Sequence, residues 1–185
     1  NKDALYSADG NAQLTATDRV LGQIIPYAGD YGISKNPESL AWDQYRMYFT
    51  DKQRGAVLRL SKDGLTPISN VGMSDWFRTN LRGRENLLGS FDTVTKEYNL
   101  SLKYDYVHAS SFNIETTKTV SFSETTKGWV SFKSFMPSQG LSVSGKYLTT
   151  HNHKIWEHHN AAVERNTFYQ EDLVPSQVTV MFNDS

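Results

Sequence analysis

The sequence predicts an all-β fold of repeated antiparallel hairpins, arranged like the blades of a partial or small propeller, with one short helix. Three observations predict this fold. Glycine, Asn and Asp punctuate the whole chain, and the short runs between them are rich in Val, Thr, Tyr, Phe and Ser, which suit a pleated surface. Hairpin patterns also recur every 35 to 45 residues or so, as in serially repeated β units.

Composition excludes several classes of protein. With 12% aromatic and 21% charged residues, the 185-residue chain is too aromatic and too weakly charged to be disordered. A formal charge of −1 gives no general attraction to nucleic acid or anionic membrane. Without cysteine, disulfides, thiolate zinc sites and cysteine nucleophiles are excluded. Apolar runs fall far short of the roughly 20 residues that cross a bilayer, so we expect no membrane insertion.

The first predicted hairpin joins strands at Arg46–Thr50 and Ala56–Leu60 through a turn at Asp51–Gly55. Alternate residues of the second strand are apolar from Ala56 onward, which is the period of two that a half-buried strand requires. Gly55 supplies the permissive backbone that such a turn needs.

A short helix is predicted at Ser74–Leu81. Ser74 is a suitable N-cap, Asp75 favours the first helical turn electrostatically, and Gly83 ends the helix. We expect about two turns, with aromatic side chains on one side.

Three more hairpins and a closing strand follow the helix. We read Tyr104–Glu115 as a long polar loop between the second and third hairpins. The predicted strands are Leu88–Phe91 with Tyr98–Leu102, Lys118–Glu124 with Gly128–Phe135, Lys146–Thr150 with Lys154–His158, and the closing strand Gln177–Phe182.

The domain division predicted from these elements is an N-terminal segment of uncertain role at 1–28 and a propeller-like domain at 29–185. A partial propeller exposes two sheet edges, which soluble proteins avoid because unpaired strands recruit other chains. We therefore expect missing sequence or neighbouring subunits to complete it. The chain starts with Asn1 rather than Met, and we interpret it as a fragment of a longer protein.

Several segments carry a resemblance to known proteins. Asn36–Ala41, Arg46–Asp51 and Arg54–Ser61 resemble one propeller blade of the NHL-like and YWTD-like repeats. With the segments downstream, the order of motifs is similar to that in large virion structural proteins of tailed bacteriophages, the nearest being tail proteins of crAss-like phages. Those segments include Gly72–Phe77, Ser90–Asp92, Glu97–Leu100, Val120–Glu124, Gly128–Phe135, Lys146–Thr150, Lys154–His159 and Asn166–Tyr169.

This resemblance implies a structural subunit of the phage tail, of the muzzle, nozzle or ring type, located in the virion. Its expected partners are copies of itself in a homo-oligomer and other tail proteins, with contacts through strand edges and loops around the channel that carries DNA. No enzymatic reaction and no cofactor are expected. Two alternatives remain: a receptor- or glycan-binding β module of the virion, and a metal-dependent propeller hydrolase.

Four histidines form the most conspicuous cluster, His151, His153, His158 and His159. Together with Glu157 they have the chemistry of ligands for zinc, nickel or iron. On a hairpin, however, adjacent residues point to opposite faces, so at most three of these side chains converge. We therefore predict no metal site and interpret the cluster as a subunit contact, where protonation near neutral pH tunes assembly.

The remaining candidates are also interface residues. Arg78, Arg82 and Arg84 form a compact basic group whose chemistry suits phosphates in the channel or acidic side chains on a neighbour. A solvated helix end or a subunit contact is favoured, because Glu85 and Asp75 dilute the local charge. Trp156, like Trp42, Trp76 and Trp129, is expected to anchor a core or an interface rather than to bind sugar. For the acidic residues Glu38, Asp43, Asp51 and Asp63, turn chemistry is favoured over a calcium site.

Overall fold

The computed structural model describes residues 4–6, 12–14, 27, 29–84, 86–103, 117–169 and 175–179. Within these ranges the chain is all-β with one short helix, and two 3₁₀ turns lie at Pro37–Ser39 and Ile68–Asn70. The strands and the helix are β1 (Ala4–Tyr6), β2 (Ala12–Leu14), β3 (Ala41–Trp42), β4 (Met47–Asp51), β5 (Ala56–Ser61), β6 (Gly64–Pro67), α1 (Ser74–Leu81), β7 (Asn86–Asp92), β8 (Glu97–Lys103), β9 (Thr117–Ser123), β10 (Gly128–Lys133), β11 (Gln139–Val143), β12 (Lys146–His151) and β13 (Lys154–Glu157).

Three larger antiparallel sheets follow one another along the chain. The first sheet has the strand order β3-β4-β5-β6, the second β7-β8-β9-β10 and the third β11-β12-β13, while β1 and β2 pair separately. Every connection within a sheet joins sequential neighbours, so all four hairpins predicted from the sequence are confirmed. The strand β7 contacts both β3 and β11 and thereby links the three sheets.

Three of the hairpin turns share one construction. The first residue provides a side-chain acceptor for a backbone N–H two or three positions further on, and the fifth has a positive φ. Gly55 holds the fifth position in the first sheet, where a Cβ would lie 2.7 Å from the Cα of Arg78, so only glycine fits there. The pairs of first and fifth residues are Asp51 and Gly55, Asp92 and Lys96, and Ser123 and Lys127.

The helix has the predicted bounds but not the predicted cap. Met73 occupies the N-cap position without a side-chain hydrogen bond, and Ser74 is already the first helical residue, so the prediction of a Ser74 cap is wrong. The helix is held instead by its apolar face, because Phe77 and Leu81 lie one turn apart and are fully buried.

Aromatic rings from the first and second sheets form the centre of the core. Tyr48 of β4 stacks on Phe91 of β7 with ring centroids 5.6 Å apart, and on Tyr98 of β8 at 5.0 Å. In β5 both Val57 and Leu58 are fully buried. The prediction of a half-buried strand is therefore wrong for the beginning of β5, because both of its faces are covered there.

One face of β7 receives the 3₁₀ turn at Pro37–Ser39. The backbone of this turn approaches so closely that a Cβ on Gly89 would overlap the carbonyl group of Ser39. The hydroxyl of Tyr98 donates a hydrogen bond to that carbonyl oxygen at 2.8 Å. The amide of Asn36 donates to the carbonyl oxygen of Leu87 at 3.0 Å. We call this contact between the first two sheets the first joint.

The opposite face of β7 carries the third sheet through a second joint. Ser90, the residue after Gly89, has its Oγ 2.7 Å from the hydroxyl of Tyr147. Gly140 lies opposite Ser90, and a Cβ on it would lie 2.8 Å from the Cβ of Ser90. The hydroxyl of Ser142 donates to the carbonyl oxygen of Phe91 at 2.8 Å. Successive residues of one strand therefore contact different neighbours, as the pleat requires.

The central strands of the second sheet bury a hydroxyl face behind their apolar face. The hydroxyls of Ser101 and Thr119 lie 2.7 Å apart, and Ser121 donates to the side-chain oxygen of Asn99 at 2.6 Å. These residues are buried, and the side chains that alternate with them, such as Leu100, belong to the core. The second sheet is thus apolar toward the first sheet and hydrogen-bonded on its other face.

Other elements differ from the sequence-based predictions. The short strands β3, β6 and β11 were not predicted, because Pro67, Gly140 and their polar neighbours are typical of loops. The predicted closing strand Gln177–Phe182 is not formed at 177–179, and 180–182 lie outside the described residues, as does the predicted loop Tyr104–Glu115. No closed barrel or propeller is identified in the described ranges. The division at residue 28 stays a prediction.

Candidate functional site

The predicted site residues fall into two separate places, the β12–β13 hairpin with the segment after it, and the end of α1. A third surface, on the first sheet, was not singled out by the sequence except for Trp42. In the described part of the chain no helix is long and apolar enough to span a membrane. Each surface has its own chemistry.

His151 and His153 belong to the β12–β13 turn but do different things. The Nδ1 atom of His151 lies 3.0 Å from the carbonyl oxygen of Met136, and its ring stacks in parallel on Tyr169 at 4.3 Å. His153 is exposed and adopts a positive φ, as does Asn152 before it, which is the geometry of a two-residue hairpin turn. His151 therefore holds the chain together, while His153 faces solvent.

His158 is mostly covered by aromatic rings. Its Nε2 atom lies 2.7 Å from the hydroxyl of Thr149, and its ring packs against Phe135 and Tyr147. Burial, together with the smaller effect of the neighbouring His159, lowers the pKa of His158 to about 4. His158 is therefore uncharged at neutral pH, so it does not act as a proton switch near neutrality.

His159 pairs with Asp92, a residue that the sequence analysis did not single out as part of a site. Its Nε2 atom lies 2.6 Å from Oδ2 of Asp92, whose carboxylate is buried and also accepts the backbone N–H groups of Val94 and Thr95. The pair fastens the segment after β13 to the β7–β8 turn. The signal for this role in the sequence is limited to the turn that Asp92 begins, which resembles the turn at Asp51.

The four histidines do not assemble into one ligand set. Among the residues that the structure describes, no three His, Cys, Asp or Glu side chains are placed to hold a metal ion. Glu157, the fifth candidate ligand, instead accepts an ion pair from Lys146 at 2.8 Å. His151, His158 and His159 already contact Met136, Thr149 and Asp92, respectively. These three histidines therefore serve the packing of this region.

A cavity of about 710 Å³ lies between the third sheet and residues 158–169. Its aromatic lining includes Trp156, whose Nε1 donates to the carbonyl oxygen of His151 at 3.3 Å. Both ends of the 158–169 segment are fixed. His158 and His159 hold the first end through their hydrogen bonds. Phe168 and Tyr169 hold the other end, because their rings pack on Phe135, Trp156 and His158. The cavity therefore has a well-anchored wall.

The three arginines do not form one basic surface. Arg78 pairs with Asp75 at 2.9 Å, and Arg82 is exposed. Arg84 is only 2% exposed, and it donates from Nε to the carbonyl oxygen of Asn80 and from Nη2 to that residue's side-chain oxygen. Arg84 thus satisfies acceptors at the end of α1, and two of the three arginines are left at the surface.

Large apolar side chains are exposed on the first sheet. Trp42 is 65% exposed and Met47, its direct partner across β3 and β4, is 49% exposed. The register continues this apolar row through Leu60 to Leu65, and Tyr45 in the intervening turn is 72% exposed. Tryptophan, tyrosine and methionine are enriched in protein interfaces, and an exposed row of this kind is typical of a contact surface.

Two other tryptophans have core roles, in line with the sequence analysis. Trp76 and Trp129 pack against the core cluster. The Nε1 atom of Trp129 donates to the carbonyl oxygen of Ile68 at 3.0 Å. The four tryptophans therefore divide into two that pack on the core, one at the cavity and one on the exposed row.

Two of the four acidic residues, Asp43 and Asp51, have the turn roles that the sequence favoured. The carboxylate of Asp51 is buried and accepts hydrogen bonds from Gly32, Ser34 and Arg54. Burial acts to raise the pKa of Asp51, but these hydrogen bonds outweigh it and lower that pKa. Asp43 likewise accepts two backbone N–H groups in its own turn.

One acidic residue was missed by the sequence analysis. Glu124, in the β9–β10 turn, accepts the hydroxyl of Tyr48 at 2.7 Å and ion pairs from Arg59 at 3.2 Å and Arg46 at 3.3 Å. It therefore ties the second sheet to the first. No local signal marks it, because its partners are distant in sequence.

Comparison with known proteins gives one family. The sequence model of a family described as "Crassvirus muzzle protein" matches residues 28–153, more than half of the chain. The matched range includes the first two larger sheets, the helix and most of the third sheet. No curated protein matches the sequence.

Proposed function

Because the chain belongs to the Crassvirus muzzle protein family, structural proteins of the phage tail, we propose that it acts by assembling with copies of itself and with other tail proteins around the DNA channel. This role is mechanical and requires no reaction. The observation that carries the proposal is the apolar row on the first sheet, in which Trp42 and Met47 are exposed and Leu60 and Leu65 are half-buried, with the exposed Tyr45 beside it.

Burial of this row on a neighbour would release apolar surface from water at about 25 cal/mol per Å². Large aromatic side chains supply most of the energy at such contacts, and the polar residues around them exclude solvent. The ion pair of Arg46 with Asp43 lies next to Tyr45 and provides part of a polar rim. We therefore propose the row as the centre of a subunit interface.

The three larger sheets support a propeller-like arrangement within the proposed domain at 29–185. Each sheet is a meander in chain order, and β7, the first strand of its sheet, contacts β3 and β11, which begin the other two. Adjacent first strands of this kind are typical of blades around an axis. We propose that the sheets are successive blades of a partial ring, which neighbouring subunits or further sequence complete.

Strand edges support assembly less well than the apolar row. The outer strand β10 has an irregular register between Trp129 and Ser131, β6 ends in Pro67, and β3 has two residues. These features blunt edges against pairing. Contact through edges therefore stays a prediction, as does contact of Arg78 and Arg82 with DNA, and we retain His153 as a candidate contact because it is exposed.

The test is an association measurement on the full chain. We expect the double variant Trp42→Ser, Met47→Ser to weaken self-association, or incorporation into tail assemblies, at least about tenfold while leaving thermal stability almost unchanged. Sedimentation of wild type and variant across a concentration series measures this. The matched control is Val94→Ser, which removes an equally exposed apolar side chain in another turn.

Two outcomes would oppose the proposal. Wild-type chain that stays monomeric at every concentration and fails to bind other tail proteins would remove it. Equal association of the double variant and the control would show that the interface lies elsewhere. A second candidate function, a glycan-binding module, is favoured by the cavity of the third sheet.

A further inference from the structure

The cavity beside residues 158–169 has the size of a small-molecule site. Its volume of about 710 Å³ lies within the roughly 300–1,000 Å³ that such sites occupy. The proposed tail role does not use it. The apolar row lies on the first sheet, whereas the cavity belongs to the third sheet and its following segment.

The floor of the cavity is fixed and mostly apolar. Phe135 and Tyr147 are buried, and the ring of His158 packs against both. The hydroxyl of Thr149 holds the Nε2 atom of His158. Because burial keeps His158 uncharged at neutral pH, this part of the wall presents neutral aromatic surface.

The charged groups around the cavity balance rather than select an ion. Asp92 is paired with His159, and Lys133 is bonded to Glu97. Glu157 is paired with Lys146, so the charges that remain are those of Glu164 and Arg165, which cancel and leave no excess that would attract a phosphate or an organic cation. The charged residues of the lining are Asp92, Lys133, Glu157, Glu164 and Arg165.

Uncharged polar groups complete the wall. Asn160, Asn166 and Thr167 line the cavity. The Oδ1 atom of Asn160 accepts the backbone N–H of Ala162, and the Nδ2 atom of Asn166 donates to Ser176. The Nδ2 atom of Asn160, the Oδ1 atom of Asn166 and the hydroxyl of Thr167 supply donors and acceptors for a ligand. Trp156 supplies a large flat ring next to them. A ligand that matches this wall has hydroxyl groups for the amides and carboxylates and an apolar C–H face for the aromatic ring.

We propose that this cavity binds a neutral saccharide, with Trp156 as the ring that stacks on the sugar and Asn160 among the partners of its hydroxyl groups. The inference goes beyond the proposed tail role, and either one stands without the other. The sugar belongs either to a bacterial surface polysaccharide or to a glycan attached to a protein.

The experiment is a binding screen with the full chain. One arm uses neutral oligosaccharides from capsular polysaccharide and lipopolysaccharide, and the other uses neutral glycans released from glycoproteins. Intrinsic fluorescence is followed during titration, because stacking on Trp156 changes its emission. We expect at least one probe from one arm to bind saturably.

Variants assign the signal to the cavity. Trp156→Phe keeps an aromatic ring and should fold normally, yet it should abolish the fluorescence change. Trp156→Ala should weaken binding, measured by calorimetry, at least about tenfold. Asn160→Ala, at an exposed position, should also weaken it while removing only one turn hydrogen bond, that from Ala162, so this variant should still fold. Trp76→Phe, at a tryptophan that packs on the core and does not line the cavity, is the matched control and should leave both the signal and the affinity unchanged.

Three results would overturn the proposal: no saturable binding in either arm, unchanged affinity in both Trp156→Ala and Asn160→Ala, or a response only to neutral tripeptides of similar size, which would identify a peptide pocket. None of these results depends on self-association. A failure here is therefore distinct from a failure of the assembly test.

Discussion

The two joints on either face of β7 differ in the chemical groups that make the contact. The first joint, from Gly89 to the 3₁₀ turn at Pro37–Ser39, is a close backbone approach next to stacked aromatic rings. The second joint, from Ser90 to the third sheet, rests on hydroxyl groups, and the His159–Asp92 pair fastens the same sheet's following segment. The first joint tolerates almost no change in shape, whereas the second tolerates small shifts but depends on protonation states nearby.

This difference indicates that the first joint is rigid, whereas the second joint responds to pH. Backbone contact leaves no side chain to rotate away, so an added atom must move whole strands. Hydrogen-bonded side chains yield by a few tenths of an ångström, and each such bond contributes only about 1 kcal/mol. The region of the proposed saccharide site is thus the more adaptable one.

The largest effect is expected from Gly89→Ala in the first joint. The new Cβ would overlap the carbonyl group of Ser39, so we expect a loss of roughly 3–5 kcal/mol or failure to fold. Urea unfolding measures it. Gly83→Ala is the control, because a Cβ at Gly83 meets nothing within 4 Å and should change stability by less than about 0.5 kcal/mol. Equal stabilities would show that the first joint is not close-packed.

A smaller effect is expected from Gly140→Ala in the second joint. Its Cβ would lie 2.8 Å from the Cβ of Ser90 and 3.1 Å from the hydroxyl of Tyr147. The hydroxyl groups can move aside, whereas the Cβ of Ser90 moves only with its backbone, so we expect a loss of about 1–3 kcal/mol. Combining it with Ser90→Gly relieves the overlap, so the double variant should lose less than the sum of the single losses. Strict additivity in denaturant unfolding would contradict the contact.

Acid should weaken the second joint before the first. His158 has an ordinary pKa of 6.5 when unfolded and about 4 when folded, so the unfolded chain binds the extra proton. The stability that it contributes is complete above pH 6.5 and is lost as the pH falls toward 4, by roughly 3 kcal/mol at most. Its charged neighbours are His159, Asp92 and Lys133.

A pH series of unfolding curves checks this assignment. The variant His158→Gln should show a flatter profile between pH 6.5 and 4, while the exposed His153→Gln should keep the wild-type profile. Asp51 contributes in a different window, because its lowered pKa places the loss of its contribution below its ordinary value of 3.8. An unchanged slope in His158→Gln would assign the acid sensitivity to other groups.

The smallest effect should be a gain, from the turns next to the joints. Lys96 occupies with φ +58° the position that glycine holds at Gly55. Lys96→Gly should stabilise the chain by about 0.5–1 kcal/mol, because glycine removes the strain of that conformation. Lys52→Gly, in the corresponding turn without a positive φ, should bring no gain. Thermal unfolding of both variants measures their changes in stability and tests this expectation.

The hairpins were predictable because their signals are local. The turn at Asp51–Gly55 and the alternation in Tyr98–Leu102 lie within a few residues, so the period of two and the turn chemistry suffice. The helix at Ser74–Leu81 was predictable for the same reason. Its cap was not, because an N-cap depends on the backbone angles of single residues.

The joints and the candidate sites were not predictable in the same way. Gly140 reads as a loop residue, yet it lies in β11, where it makes room for the distant Ser90. The histidines were visible in sequence, but their partners, such as Asp92 at a separation of 67 residues, were not. Arg84 resembled a surface cation and is buried, since its acceptors belong to the turn before it.

The buried hydroxyl face of the second sheet has a consequence for how the chain finds its strand alignment. If β9 slid by one residue along β8, Ser121 and Thr119 would turn toward the apolar core and Val120 toward the hydroxyls. A pairing shifted by one residue would leave these polar groups buried without partners, at a penalty of about 1–3 kcal/mol each. The hydroxyl face therefore disfavours such register shifts of β9 against β8 during folding and favours a single geometry for the second sheet.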